Sequence, residues 1–474
     1  MNRFKLVFSL FMLVALFSCE KDLDILPTDT INEENVFLNV SDLVRGLYGV
    51  YGSIPGGNDM YINALVSDEV KLSNENRGQG QFEFKWQYVA ASGGAASDVW
   101  NNYYYVIGLA NKTLAAAPKI SASSPADQAA RDAIVGELLA IRAFAHFQIL
   151  QCFSGKYDPN KSLGIPYTTT SDISAKPSRI SVGAVVSAIE ADLEKAANTS
   201  MPNAPVADEN AGFIRLSKAT VAGIRARVAL YKASGLDDPA EWNKAITYAQ
   251  ECITKSGKSL SSGSAYSSIW TDADPRTSEV LFKLRRTNTS VGTLWQDNNG
   301  DVFFEPSDKL KSLFNRTTDR RFPLFISATV DDTCLVNKFF TSSRGAKIVD
   351  VKMMRISEMY LIMAEAYAGL NNLTNAAKFY NDLRTIRIIG YIPETFFTKA
   401  EAISKIYDER ARELCFEGFR YFDHIRRGLS IDRINSDVQS SNWKNLSSND
   451  FRMLFPVPQT STNANPNMIQ NPGY

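Results

Sequence analysis

The side chains best equipped for chemistry are the adjacent carboxylates Asp68-Glu69, the two histidines His146 and His424, and five cysteines, Cys19, Cys152, Cys252, Cys334 and Cys415. Cleaving a glycosidic bond needs two carboxyl groups facing one cleft at a set separation. Neighbours in sequence usually point apart, so Asp68-Glu69 is a poor acid/base pair. Both histidines fall in predicted helices, away from any cysteine or acid at zinc-ligand spacing. The cysteines beyond Cys19 are widely separated, three of them in predicted helices, and read as buried thiols rather than metal ligands. The chain carries neither a Gly-rich phosphate loop nor a Gly-x-Ser-x-Gly elbow. No catalytic residue, metal site or cofactor is therefore predicted.

What remains is the chemistry of binding. Flat aromatic rings stack on the apolar faces of sugars, and amides and carboxylates receive the hydroxyl edges; large amphipathic rings suit peptides as well. The strongest cluster is Trp295-Gln296-Asp297-Asn298-Asn299, flanked by Gly292 and Gly300. Trp295, Asp297, Asn298 and Asn299 are the first candidate ligand residues. Trp86 with Tyr88 comes second and Tyr61 third. The competing reading for each ring is a loop aromatic turned into the core. Trp100 is spaced helically with Tyr104 and Ile107, and Trp270 precedes a short strand, so both are assigned to the core.

These candidates sit on long loops between helices. The clearest helical stretch runs from Lys352 to Arg387, two helices joined by Gly369-Leu370-Asn371-Asn372. Ile356, Met359, Tyr360, Met363, Ala364 and Tyr367 share one face of the first helix; Ala376, Tyr380 and Leu383 share one face of the second. Ala364, Tyr367, Ala376, Tyr380 and Leu383 also match the spacing of a tetratricopeptide helix pair. Helical periodicity recurs over 98–117, 129–153, 182–197, 218–233 and 241–255, and again to about 427. The predicted fold is mostly α: a tetratricopeptide-like stack of helix pairs, about 98–255 and 352–427, with long irregular loop insertions and a little β. The insertions, about 52–97 and 256–350, are too polar to form cores alone and should lie on the stack as a ligand face. Glu279 to Arg285 alternates like a strand, and the Pro- and Asn-rich tail 443–474 should pack as irregular chain.

With 51 basic and 51 acidic residues the chain has no charge excess that would draw it to nucleic acid. Arg3 and Lys5 precede an apolar run, Leu6 to Phe17, too short to span a bilayer, and Ser18-Cys19 follows. This resembles a bacterial lipobox, which implies a signal peptide over 1–18 and acyl chains on Cys19. Anchoring would then need no transmembrane helix, and no later run reads as a membrane span. Residues 19–36 form a lipidated tether, and Glu20-Lys21-Asp22-Leu23-Asp24 resembles an acidic surface-export tag. The rest, 37–474, is read as a single domain.

The run from Arg410 to Gly428 reads as one long helix. In and just ahead of it, Asp408/Arg412 and Asp423/Arg427 are spaced for i,i+4 pairs, while Glu417, Arg420 and Asp423 fall on one face as an ion network. Together with Gly136-Glu137-Leu138-Leu139-Ala140-Ile141-Arg142-Ala143-Phe144, the tail Phe455-Pro456-Val457-Pro458-Gln459 and Gln470-Asn471-Pro472-Gly473-Tyr474, and the lipobox, it resembles the SusD/RagB family of surface nutrient-binding lipoproteins. His424 stands where that family more often has an aliphatic residue. The resemblance spans Cys19 to Tyr474. It implies a non-enzymatic, lipid-anchored protein on the outer membrane, facing the exterior. Such a protein captures an oligosaccharide or polysaccharide for a SusC-like TonB-dependent transporter. A peptide ligand is the alternative, and a glycan-degrading enzyme ranks behind both.

Overall fold

A computed structural model describes residues 36–206, 215–273, 278–289, 291–328 and 334–474. The expected signal peptide, Cys19 and the tether up to residue 35 lie outside them. Twelve helices of eight or more residues frame the described chain: α1 (Val40–Ser53), α2 (Gly56–Val66), α3 (Ala95–Ala116), α4 (Pro125–Ser154), α5 (Val182–Ala197), α6 (Lys218–Leu236), α7 (Pro239–Ser256), α8 (Gly263–Trp270), α9 (Ile356–Gly369), α10 (Leu373–Arg387), α11 (Lys399–Leu414) and α12 (Arg420–Arg427). Sequence sets several of their starts. Asn39, Ser124, Ser181, Ser217, Asp238 and Thr398 each cap a helix by accepting a backbone N–H of its first turn. Pro125 and Pro239 then occupy a position where no N–H is needed.

The long helices pack in chain order. α1 lies on α3, α3 on α4, α4 on α5, α5 on α6, α6 on α7, α7 on α9, and α9 on both α10 and α11. The fold is thus the mostly α stack expected from the sequence. Small residues line the crossing of α9 and α10: Ala364 and Ala368 of α9 cluster with Ala376 and Ala377 of α10 around Tyr380. The predicted turn after α9 is present, with Asn371 in the left-handed region. Gly369 serves packing instead, since a Cβ there would lie 2.5 Å from the Trp242 ring of α7. By length and composition α4 is apolar enough to cross a membrane, contrary to the sequence reading, but 89% of its most apolar window is buried within the protein. Two of its polar side chains show the pairing inside that core. Arg142 donates to Asp192 (2.7 and 2.8 Å) and Asn111 (2.9 Å), and His146 accepts from the Thr168 N–H at 3.1 Å. Cys152, Cys252 and Cys415 are buried free thiols.

Three boundaries differ from the sequence reading. The stretch 52–97 is not one loop: it contains α2, the strand β1 (Val70–Leu72) and a single helical turn, Gln81–Phe84. Gly56 opens a helix that approaches the next layer closely, for a Cβ there would lie 2.9 Å from Met353 Sδ. Second, the stretch from Lys352 begins as strand β8 (Val351–Arg355), paired antiparallel with β2 (Val280–Leu284), and turns helical only at Ile356. The described part of 256–350 adds β3 (Phe304–Pro306), which pairs with β1, and the small pairs β4 (Ile326–Ala328) with β5 (Cys334–Val336) and β6 (Thr341–Ser342) with β7 (Gly345–Ala346). Third, the long last helix is broken between α11 and α12. Phe416 and Gly418 take positive φ, and the Phe416 N–H leaves the helix to donate to Glu69 at 3.2 Å.

Candidate ligand-binding site

An open pocket of about 240 Å3 lies among residues of α2, the Gln81–Phe84 turn and the approach to α3. Tyr61 projects from α2. Phe82 and Glu83 come from the single turn, which starts at Gly80 with φ +56°. A side chain at Gly80 would meet the Tyr61 hydroxyl and a Leu65 methyl at 2.7 Å, so only glycine permits this approach. Glu83 accepts the Ala95 N–H at 3.0 Å, placing a carboxylate at the first turn of α3, where the helix dipole favours it. Phe82 stands 67% exposed beside the pocket. A flat apolar ring, a phenol and one carboxylate thus surround a space suited to a single ring-sized polar group. Glu83 is the single carboxylate among the described residues lining it, whereas hydrolysis would need two.

The turn at Asp297 is tied through Arg77 to the segment that leads into this pocket. That carboxylate accepts the N–H groups of Asn299 and Asp301, both at 2.9 Å. Slight desolvation would raise its pKa, but the backbone donors of Asp301 and Asn299 hold it below the ordinary carboxylate value. Arg77, in the left-handed region, reaches from the other side to Asp297 at 3.6 Å and pairs with Asp301. Asn298 and Asn299 are exposed at the tip. The two loop insertions therefore meet, as a single ligand face requires.

The rings chosen from the sequence divide. Tyr61 lines the pocket and keeps partial exposure; burial first, then the Glu83 charge, raises its phenol pKa. Trp295 is a correction: it is 1% exposed, packed 6.5 Å from Tyr61 and 5.9 Å from Phe416, centroid to centroid. It supports Tyr61 from below and presents no face to a ligand. Trp86 is a second correction. It is equally buried, donates to the Val66 carbonyl at 2.9 Å, and lies under the Arg433 guanidinium at 4.2 Å. Tyr88 is a third: it borders the pocket but is 5% exposed, with its hydroxyl given to the Arg452 carbonyl and its ring against Phe455 at 5.2 Å. These rings lost to the core for one reason: each can bury a large apolar area where its polar tip or neighbours allow it. Trp100 and Trp270 are buried as expected.

Phe82, Glu83 and Arg433 were missed. The alternation Phe82, Phe84, Trp86 was the available signal, since two of the three rings are buried and one is exposed. Arg433, 1% exposed, locks the segment by donating to the carbonyls of Ser67, Leu65, Phe84 and Trp443.

The acidic dipeptide is structural. Burial alone would raise the Asp68 pKa, but Arg420, bonded at 2.6 and 2.9 Å, then His424, hold it well below the usual value. Burial pushes Glu69 up to about 8 against Arg420 and the Phe416 N–H. Asp68 and Glu69 are 3% and 2% exposed, with no access for a substrate. The charges of 408–427 do form an ion network, with partners other than those expected. Arg412 pairs with Glu409 rather than Asp408. Glu417 meets Arg355 and Lys338, Arg420 meets Asp68, and Asp423 meets Arg410 and Arg426.

A family model described as the SusD family matches residues 224–474, and one described as starch-binding associating with outer membrane matches residues 20–230. Two SusD-like proteins of Formosa agariphila are 21% and 23% identical to this chain, the first covering 98% of each sequence and the second all of both. Among solved structures, a SusD superfamily protein of Bacteroides thetaiotaomicron superposes with a TM-score of 0.79 at 23% identity, over 92% of this chain and 100% of that one. A SusD-like carbohydrate binding protein of Bacteroides vulgatus gives 0.75 at 22% identity, over 91% and 98%. These likenesses carry the helical fold.

Proposed function

The chain belongs to the SusD/RagB family, and from that premise we propose that it is a surface lipoprotein that binds an oligosaccharide and passes it to a SusC-like TonB-dependent transporter. The outer-membrane association in the family description supports the location, Ser18-Cys19 supports a lipid anchor, and the acidic run Glu20-Lys21-Asp22-Leu23-Asp24 supports an exterior face. The observation that carries the ligand class is the pocket beneath Phe82. An exposed ring offers a stacking face, and the Tyr61 phenol and Glu83 carboxylate offer partners for hydroxyl groups. Asp297, Asn298 and Asn299, on the turn that Arg77 ties to the segment before Gly80, add further polar partners to this face. Nothing in this arrangement pairs two carboxylates across the pocket, so the ligand leaves unchanged.

The reading is tested by calorimetry of the purified protein against a panel of neutral oligosaccharides and peptides. Binding of a saccharide that falls about tenfold in Phe82→Ala, with an unchanged melting temperature, is the expected result. Binding of peptides alone, or saccharide binding indifferent to Phe82, overturns it. Co-purification of a barrel transporter from detergent-solubilised outer membranes tests the partner.

A further inference from the structure

A second and larger opening, about 620 Å3, lies where the end of α4 meets the C-terminal tail. Phe451 forms part of its wall and is 44% exposed, braced edge-on against Tyr474 at 4.9 Å between ring centroids. Tyr474 in turn sits 6.4 Å from Tyr88, so the tail aromatics separate this groove from the pocket beneath Phe82. Asn449 offers an exposed amide at its edge.

The charges around this groove are not balanced. Lys161 is half-buried, and its ammonium donates to the Ser154 carbonyl at 2.5 Å. Behind it Arg179, 8% exposed, is bonded to the carbonyls of Gly164, Leu163, Phe153 and Ile469 and to the Asn471 amide oxygen, with no carboxylate among these partners. Lys156 lines the opening from the exposed side. Two carboxylates are near: the exposed Asp158 offsets part of the Lys161 charge across solvent without an ion pair, and Asp450 is engaged elsewhere. Asp158 accepts the Asn160 N–H at 2.9 Å, and Asp450 is held by Arg452 at 2.7 Å. Among the described residues neither lysine forms an ion pair. Burial, then the Arg179 charge, lowers the Lys161 pKa and outweighs the opposing Asp158 charge, the expected sign for a cation without a bonded counter-ion.

We propose that this groove is a second saccharide site, selective for sugars bearing an anionic group, with Lys161 and Lys156 receiving the anion and Phe451 the ring face. A carboxylate or a sulfate ester would complete the charge balance that the chain leaves open, and such charge-assisted bonds are the strong ones. The volume admits more than one ring. The site does not depend on the pocket beneath Phe82.

Calorimetry with short oligouronates, sulfated oligosaccharides and neutral oligomers of equal length tests this. One of the two anionic series should bind at least about tenfold tighter than the neutral one, and Phe451→Ala and Lys161→Gln should each abolish most of that margin. Which anionic series responds identifies the substituent. Lys156→Gln, at an exposed position, gives the same readout should Lys161→Gln unfold. The Phe82→Ala variant should leave the anionic preference intact, which separates this site from the first. Equal affinity for neutral and anionic oligomers, or a preference that survives both Phe451→Ala and Lys156→Gln, overturns the proposal.

Discussion

The ion network beneath α11 and α12 and the pocket beneath Phe82 use the same residue types to opposite ends. In the network, Glu413 is fully buried and receives Arg321, Arg355 and Arg387 at 2.9 to 3.1 Å. Glu279 is shared by Arg355 and Arg387, and Glu409 by Arg321 and Arg384. Every charge there is spent on another part of the chain, tying the strands β2 and β8 to α10 and α11. In the pocket, Glu83 makes one backbone bond and borders open space, and Phe82 makes its contacts with solvent. A charged or aromatic side chain therefore says little about function until its partners are known. Satisfied groups hold the frame, and groups with spare capacity are the ones we propose meet the ligand.

The sharpest way to break this contrast is at Glu413. Replacing it with Gln leaves three buried guanidinium groups short of charge, and loss of one partner from a buried ion pair costs about 3–5 kcal/mol. Thermal unfolding of Glu413→Gln should show a large drop in melting temperature, or no soluble protein. A melting temperature within a degree of the parent would mean that the network is not the frame. Trp295→Ala comes next. The side chain is buried under Tyr61, so its removal should cost about 3–5 kcal/mol through the cavity it leaves. Saccharide affinity should fall only through the lost support of Tyr61. Trp295→Phe should recover most of the stability and the affinity together; affinity lost at full stability would return Trp295 to the ligand face.

The pH response separates two kinds of buried acid. Glu409 is depressed to about 2, with burial opposed by Arg321, Arg412 and Arg384, so its stabilisation is present above the unfolded value near 4.5 and fades as pH falls toward 2. Glu69 and Asp59 go the other way, pushed by burial to about 8 and about 7. They hold protons in the folded chain that the unfolded chain has released, so stability should decline as pH rises from about 4.5 to about 8. Glu69→Gln should flatten that decline in urea unfolding measured at pH 5, 7 and 9. A wild-type and variant that lose stability in parallel would place the proton elsewhere.

How much of this was legible depended on whether a residue's role was decided locally. The helix pair around Gly369-Leu370-Asn371-Asn372 and the caps at Ser124, Ser181 and Asp238 were readable or consistent with local rules, because spacing and a single side chain set them. Lys352 to Arg355 was misread because its strand is defined by β2, some seventy residues earlier, rather than by its own period. The break at Phe416 depends on Glu69, which no local pattern announces. For the proposed site, the structure brings together the two loop stretches singled out from the sequence and keeps Tyr61 partly exposed at the pocket. The sequence could not tell Phe82 from Trp86, because alternate rings on a short turn are sorted only by what packs over them; here that is Arg433, stacked 3.8 Å from Phe84 and 4.2 Å from Trp86.

The smallest expected effect tests the boundary between frame and face. Arg77 is largely exposed, joins the turn before Phe82 to Asp297 and Asp301, and is backed by no buried partner in those pairs. Ion pairs of this kind contribute little to stability and weaken with salt. Arg77→Ala should therefore leave the melting temperature where it was. The same change loosens the Asp297 turn against the segment that carries Gly80 and Phe82, while β1 stays paired with β3, so the two loop insertions hold their common geometry less tightly. Saccharide affinity should fall by about threefold, the scale of one exposed ion pair, and the difference between parent and variant should shrink as salt is added. If Arg77→Ala instead lowers the melting temperature like a core substitution, the Asp297 turn belongs to the frame. The division drawn between the two regions then fails at the residue that bridges the two loop insertions.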